Sequence, residues 1–213
     1  MNGVSVAIMA HPRRAEQVKK ILVALDDVPV VVWDARGDRW DTGRRAMLAC
    51  DPDAHHHLVL QDDVVPCRDL LAGVSALLEH VPAECPVSLY LGRHRRIPVA
   101  TDEAERRDAC FITWRRLDHG LGIIVPTSRI EAMLKHADAR GDVPNYDARL
   151  STYWESEGID TWYTRPSLVN HMQGPSLVPG RDARHKSPRV ARWFLEEGSA
   201  TAIDWSGPVV RAG

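Results

Sequence analysis

The feature that most constrains this chain is a repeated change of hydrophobic period. Short apolar runs of strand length alternate with segments whose apolar residues recur every three to four positions. Val4 to Met9 is such a run, closed by Ala10, His11 and Pro12. Val18, Ile21, Leu22 and Leu25 then follow at helical spacing across Ala15 to Leu25. Pro29 to Trp33 repeats the strand signal, and the polar stretch 34–45, DARGDRWDTGRR, reads as a loop with a helix after it around Ala46, Met47 and Cys50. His57 to Leu60 is a third strand, and Leu70, Leu71, Val74, Leu77 and Leu78 form one face of a helix that stops before Pro82. Val87 to Leu91 and Leu121 to Val125 read as strands, and Ile130, Met133, Leu134 and Ala137 mark a helix opening after Thr127. Tyr146, Leu150, Tyr153 and Trp154 mark another helix, with Asn145 at its N-cap, and Thr161 to Thr164 reads as a last strand. Such alternation gives an α/β sheet flanked by helices rather than a bundle or a sandwich.

At 213 residues, with nothing resembling a flexible linker between Arg13 and Ser167, the chain reads as one domain. The stretch Gln173 to Pro188 is polar and rich in Gly, Pro, Arg, Ser and His; it predicts a long loop, before a helical turn over Val190 to Glu197. A formal net charge of -2 argues against a protein that holds nucleic acid by bulk electrostatics. Cys50, Cys67, Cys85 and Cys110 lack the paired short spacings of a zinc site and are too sparse for a disulfide scaffold, which predicts reduced thiols in the cytoplasm. The Val4 to Ala10 run has no basic segment before it and is too short to span a bilayer, so neither a signal peptide nor a membrane helix is expected. Nothing in the pattern indicates an oligomeric state.

The sharpest local signal is LVLQDDVVPC, residues 58–67, in which an apolar strand delivers Asp62 and Asp63 to its C-terminal end. Adjacent carboxylates there are costly unless paired or metal-bound. Hard divalent cations that bridge phosphate oxygens are held by one or two carboxylates plus substrate, so the pair suits Mg²⁺ or Mn²⁺ on a nucleotide diphosphate. A solvated turn or a helix cap is the alternative reading. His55, His56 and His57 enter this strand with neighbours on opposite faces, which argues for a solvated strand entrance rather than a metal site.

HHHLVLQDDVVP resembles the aspartate-rich strand end of GT-A glycosyltransferases, especially the lipooligosaccharide galactosyltransferase family (family 25-like). DHGLGIIVPTSRIEAML, residues 118–134, resembles that family's glycine-containing strand and following helix. PSLVNHMQGPSLV, residues 166–178, is similar to its late Pro-Ser-Leu-Val, His and Ser-Leu pattern, and small phage-encoded glycosyltransferases look similar in overall length. Gln61 stands where the family's acidic triplet commonly begins, leaving Asp62 and Asp63 the charged work.

The resemblance implies a single Rossmann-like GT-A domain with a mixed, mostly parallel central sheet. Residues 1–100 would bind nucleotide sugar, residues 101–172 would form the acceptor side, and residues 173–213 would be a mobile loop and C-terminal helix. It implies transfer of a sugar from a nucleotide diphosphate, UDP first, with Asp63 and His171 as ligands of Mn²⁺ or Mg²⁺ and Asp62 on the ribose or the metal shell. The nucleotide pocket would draw on His11, Arg13, Asp34, Gly43 and Arg44, with Arg184 and Lys186 folding over the diphosphate. Asp147, at the start of a helix, corresponds in order to the general base of inverting members, a helix-dipole acid being the alternative. DNA carrying hydroxymethylated pyrimidines is the first expectation for the acceptor. It rests on Arg93, Arg95 and Arg96, Arg106 and Arg107, and Arg115 and Arg116, with Trp114 as a stacking surface; a glycan or a virion protein is the alternative. A nucleotidyltransferase and a noncatalytic sugar-binding protein are the rival classes.

Overall fold

The computed structural model describes residues 3–26, 28–92, 97–177, 189–196 and 198–213. Arg184, Lys186, Arg93, Arg95 and Arg96 lie outside the described residues. The chain forms an eight-stranded mixed sheet built from β1 (Val4–Ala10), β2 (Val30–Trp33), β3 (His56–Gln61), β5 (Val87–Ser88), β6 (Phe111–Trp114), β7 (Gly122–Pro126), β8 (Thr161–Thr164) and β10 (Val209–Arg211). Strand order is β10-β6-β8-β5-β7-β3-β1-β2, and a separate pair joins β4 (Val64–Pro66) to β9 (Val169–His171). β2, β1 and β3 run parallel, whereas β7 pairs antiparallel with both β3 and β5.

Both faces of the sheet are covered, which is why β1 and β3 read as continuous apolar runs rather than alternating ones. On one face Val6, Ile8, Leu58 and Leu60 pack against helices α1 (Ala15–Ala24) and α3 (Leu70–Leu78). On the other, Ala7, Val59, Ile123 and Val125 pack against α2 (Arg39–Leu48), α5 (Ile130–Asp138) and α6 (Tyr146–Glu157). A smaller cluster seats α4 (Pro98–Arg106) on β6, β8 and β10 through Ala104, Ile112, Tyr163 and Val210. The fold class expected from the sequence is the one observed.

Some local expectations are corrected. The stretch 34–45 is not all loop: Asp38 caps α2 by accepting a hydrogen bond from the Trp40 amide, and the helix runs from Arg39. Its buried face is Thr42, Gly43, Ala46 and Met47, too small and too polar at its start to show a hydrophobic period. No α-helix follows Glu157 among the described residues. Residues 189–196 form isolated bridges and bends instead, because their backbone pairs elsewhere: Ala191 bridges Gly92, Phe194 bridges Ser167, and the Arg192 amide donates to Leu91 O at 2.8 Å. His57 is not at a solvated strand entrance but 0% exposed, with Nε2 2.8 Å from Ala46 O and Nδ1 2.8 Å from Ser5 Oγ. Since a carbonyl only accepts, Nε2 carries the proton and Nδ1 accepts from the serine hydroxyl, a neutral ring satisfied at both ends. All four cysteines are free, and among the described residues no helix is long and apolar enough to cross a membrane.

Candidate functional site

From β1 the chain passes through α1 on one face to β2, then returns through α2 on the opposite face to β3 on the other side of β1. The C-terminal ends of β1 and β3 therefore flank a topological switch point, the crevice in which open α/β sheets bind ligands. His11, Arg14, Asp62 and Asp63 converge there.

Asp62 accepts from the His11 amide at 2.6 Å through Oδ2 and from Arg14 Nη1 at 2.8 Å through Oδ1. The same Arg14 nitrogen lies 2.7 Å from Asp63 Oδ2, so one guanidinium spans both carboxylates. These three side chains are only 8–11% exposed. Burial pushes the Asp62 carboxyl above its usual range, although the His11 amide and Arg14 oppose this. Burial works against the Arg14 charge too, but Asp63 and Asp62 outweigh it and raise the guanidinium's pKa. With both oxygens taken by His11 and Arg14, Asp62 holds the loop after β1 in place.

His171 reaches the site through the small sheet, where its partner across the ladder is Val64, the residue after Asp63, and the Met172 amide donates to Asp63 O at 2.7 Å. Its Nε2 lies 3.3 Å from Asp63 Oδ2, and its Nδ1 lies 3.0 Å from Met172 O. The carbonyl can only accept, so Nδ1 carries a proton. Burial, opposed by Asp63 and by the Met172 carbonyl, lowers the ring's pKa. The two groups can be joined by a proton on the ring or by a cation held between them. Asp63 Oδ1 is buried without a hydrogen-bond partner among the described residues. Oxygen and imidazole donors suit Mn²⁺, and Mg²⁺ less naturally. Among the described residues no three His, Cys, Asp or Glu side chains form a ready-made cluster, so a metal here would take Asp63 and His171 and fill its remaining positions from substrate or water.

A second group of residues forms the neighbouring wall. The Gln61 amide donates to Leu121 O at 3.0 Å, which sets the segment 118–121 beside the aspartates. Asp147, in the first turn of α6, accepts from the His119 amide at 2.9 Å and from the Ala148 amide at 2.9 Å. Asp147 thus faces the segment that joins it to Gln61. His119 has a left-handed φ of 70°, uncommon for a residue with a side chain, and its ring stands edge-on to Tyr90 at 5.4 Å. Gly120 lies against Gln61 and Tyr146: a Cβ there would come within 2.9 Å of Gln61 Nε2 and 3.0 Å of Tyr146 Cδ1.

The other expected nucleotide residues are placed differently. Asp34 Oδ1 accepts from the Arg36 and Gly37 amides at 3.0 and 2.7 Å; burial raises its pKa, but these bonds, with those from Asp38 and Thr42, win and lower it. Its first task is to shape its own turn at the end of β2. Gly43 is a packing residue inside α2, where a Cβ would lie 2.3 Å from Tyr146 Cε2. Arg44 is committed to Asp138 at 3.0 Å, and Arg13 is exposed. The arginine that does enter the site, Arg14, was passed over in the sequence, although two adjacent buried carboxylates demand a nearby cation. Nothing among the described residues supports the expected DNA surface, although Arg106, Arg107 and Arg115 are exposed. Trp114 is only 6% exposed, Arg106 and Arg107 pair with Glu103, and Arg116 lies 4.0 Å from both Asp118 and Glu155.

No protein-family model matches the chain, and no curated protein matches it in sequence. Among solved structures it is similar to a mutant Drosophila beta-1,4-galactosyltransferase 7 in complex with manganese, UDP-Gal and xylobiose. The two share 8% identity at a TM-score of 0.51 over 96% of this chain and 85% of that one. The catalytic domain of the same Drosophila enzyme, in complex with xylobiose, aligns at a TM-score of 0.47 with 8% identity, over 96% of this chain and 85% of that one. At such identity the likeness concerns architecture, and the architecture is that of a GT-A-like glycosyltransferase fold.

Proposed function

We propose that this chain is a divalent-metal-dependent glycosyltransferase that moves a sugar from a nucleotide diphosphate, UDP first, onto the hydroxyl of an acceptor. The observation that carries the reading is the meeting of an imidazole and a carboxylate, His171 Nε2 and Asp63 Oδ2, 3.3 Å apart at the switch point of a GT-A-like sheet. Asp63 and His171 would hold the ion, which when bound neutralises charge on the diphosphate leaving group. Asp62 keeps the His11 backbone and Arg14 fixed around that place, and the Asn170 side chain, accepting from the His171 and Ala191 amides, steadies the strand that carries the imidazole. Asp147 is the proton acceptor for the incoming hydroxyl, on the wall made by 118–121. A carbohydrate hydroxyl is the acceptor class in keeping with the xylobiose of the Drosophila complex.

The test is hydrolysis of UDP-sugars without acceptor. Release of UDP that stops with EDTA and returns with Mn²⁺, and that is lost in Asp63→Asn, is the expected result. Release of pyrophosphate instead would indicate a nucleotidyltransferase, and full activity after thorough chelation would remove the metal from the reading.

A further inference from the structure

Arg14 occupies a chemically unusual position. It is the N-cap residue of α1, at the helix end where a positive charge is disfavoured, and it is 89% removed from solvent, leaving 11% of its side chain exposed. What holds it there is the carboxylate pair, 2.8 and 2.7 Å from a single guanidinium nitrogen. The oxygen it touches on Asp63 is the same Oδ2 that faces His171. A divalent ion between Asp63 and His171 would therefore share that oxygen with a buried guanidinium. Two carboxylates and one guanidinium leave the cluster with one net negative charge, which a divalent ion alone would overshoot. An anionic diphosphate arriving with the ion restores the balance and offers the guanidinium a new partner, since arginine pairs well with phosphate oxygens.

We propose that Arg14 is a resident counter-cation of the metal site: it holds Asp63 while no nucleotide is bound, so that the divalent ion binds tightly only together with a nucleotide diphosphate. This rests on the reading of Asp63 and His171 as metal ligands. In this view Arg14 is a positioning residue that sets the order of binding, and removing its charge should uncouple metal from nucleotide.

The experiment measures Mn²⁺ binding to the whole chain, by electron paramagnetic resonance of the free ion and without turnover, with and without UDP. In the wild type, UDP should tighten Mn²⁺ at least tenfold. In Arg14→Gln, Mn²⁺ alone should bind at least tenfold tighter than to the wild type, and the effect of UDP should shrink. Arg14→Met, which keeps the aliphatic stem, is read in the same way if Arg14→Gln does not melt cooperatively. Equal Mn²⁺ affinity with and without UDP in the wild type, or no tightening in a folded Arg14 variant, overturns the proposal while Asp63→Asn still abolishes binding. Mn²⁺ binding that survives both Asp63→Asn and His171→Ala in the presence of UDP overturns the metal reading itself, and the proposal with it.

Discussion

His57→Ala tests whether the histidine run is structural. The ring is 0% exposed and both its nitrogens are bonded, to Ala46 O and to Ser5 Oγ, at 2.8 Å each. Truncation strands a buried carbonyl, at about 1–3 kcal/mol, and opens a ring-sized cavity, at about 2 kcal/mol more. The expected loss at pH 7.5 is about 3–5 kcal/mol, or roughly 10 °C of melting temperature for a domain of this length. Acid should narrow the gap. Burial lowers the folded pKa of His57 below its ordinary value of 6.5, with the Ala46 and Ser5 bonds opposing. The unfolded chain therefore takes up the proton first. The contribution of the neutral ring is complete above pH 6.5 and declines as pH falls toward the depressed folded value, by at most about 1.4 kcal/mol per pH unit. Urea unfolding of the wild type and the variant at pH 7.5 and 5.5 should show two stabilities that converge in acid. A loss below about 1 kcal/mol at pH 7.5, or an unchanged gap at pH 5.5, would refute the buried neutral ring.

Asp147→Asn keeps an oxygen for the His119 amide but turns its NH2 toward the Ala148 amide, and should cost about 1–2 kcal/mol in stability, while sugar transfer falls about a hundredfold to ten-thousandfold; transfer near the wild-type rate would return Asp147 to a purely structural role. Gly43→Ala separates two effects of opposite sign. Helix propensity alone favours alanine by about 1 kcal/mol, whereas a Cβ 2.3 Å from the Tyr146 ring, itself backed by Gly120, should cost about 1–3 kcal/mol net. A variant that melts above the wild type would show that Tyr146 is free to yield.

The sheet strands with long apolar runs were legible in the sequence because both faces of the sheet are dry, and so were α1, α3 and α5, whose apolar period is unbroken. What escaped was short or polar. β4 and β9 have three residues each, and β10 three more, so no period can develop. The start of α2 buries threonine and glycine, which carry little hydrophobic signal. In the site, Asp63 and His171 were legible through resemblance, and the structure brings them into contact. Arg14 was not, because the identity of the arginine that turns inward from His-Pro-Arg-Arg depends on the 3-10 turn Pro12–Arg14. The packing role of Gly43 was not legible either, because the ring of Tyr146 that it makes room for lies on a helix distant in sequence.

The pairing of β4 with β9 also has a bearing on how the protein is made. Asp62, Asp63 and Arg14 all belong to the first third of the chain, whereas the imidazole arrives only with β9, after β5 to β8 of the sheet. Closing that long loop is entropically costly until the intervening strands have paired. During synthesis the carboxylates would emerge with their arginine already beside them and without their histidine. A nascent chain would thus pass its early life with the acidic pair half neutralised from within, and tight cation capture would mark the end of folding rather than guide its start.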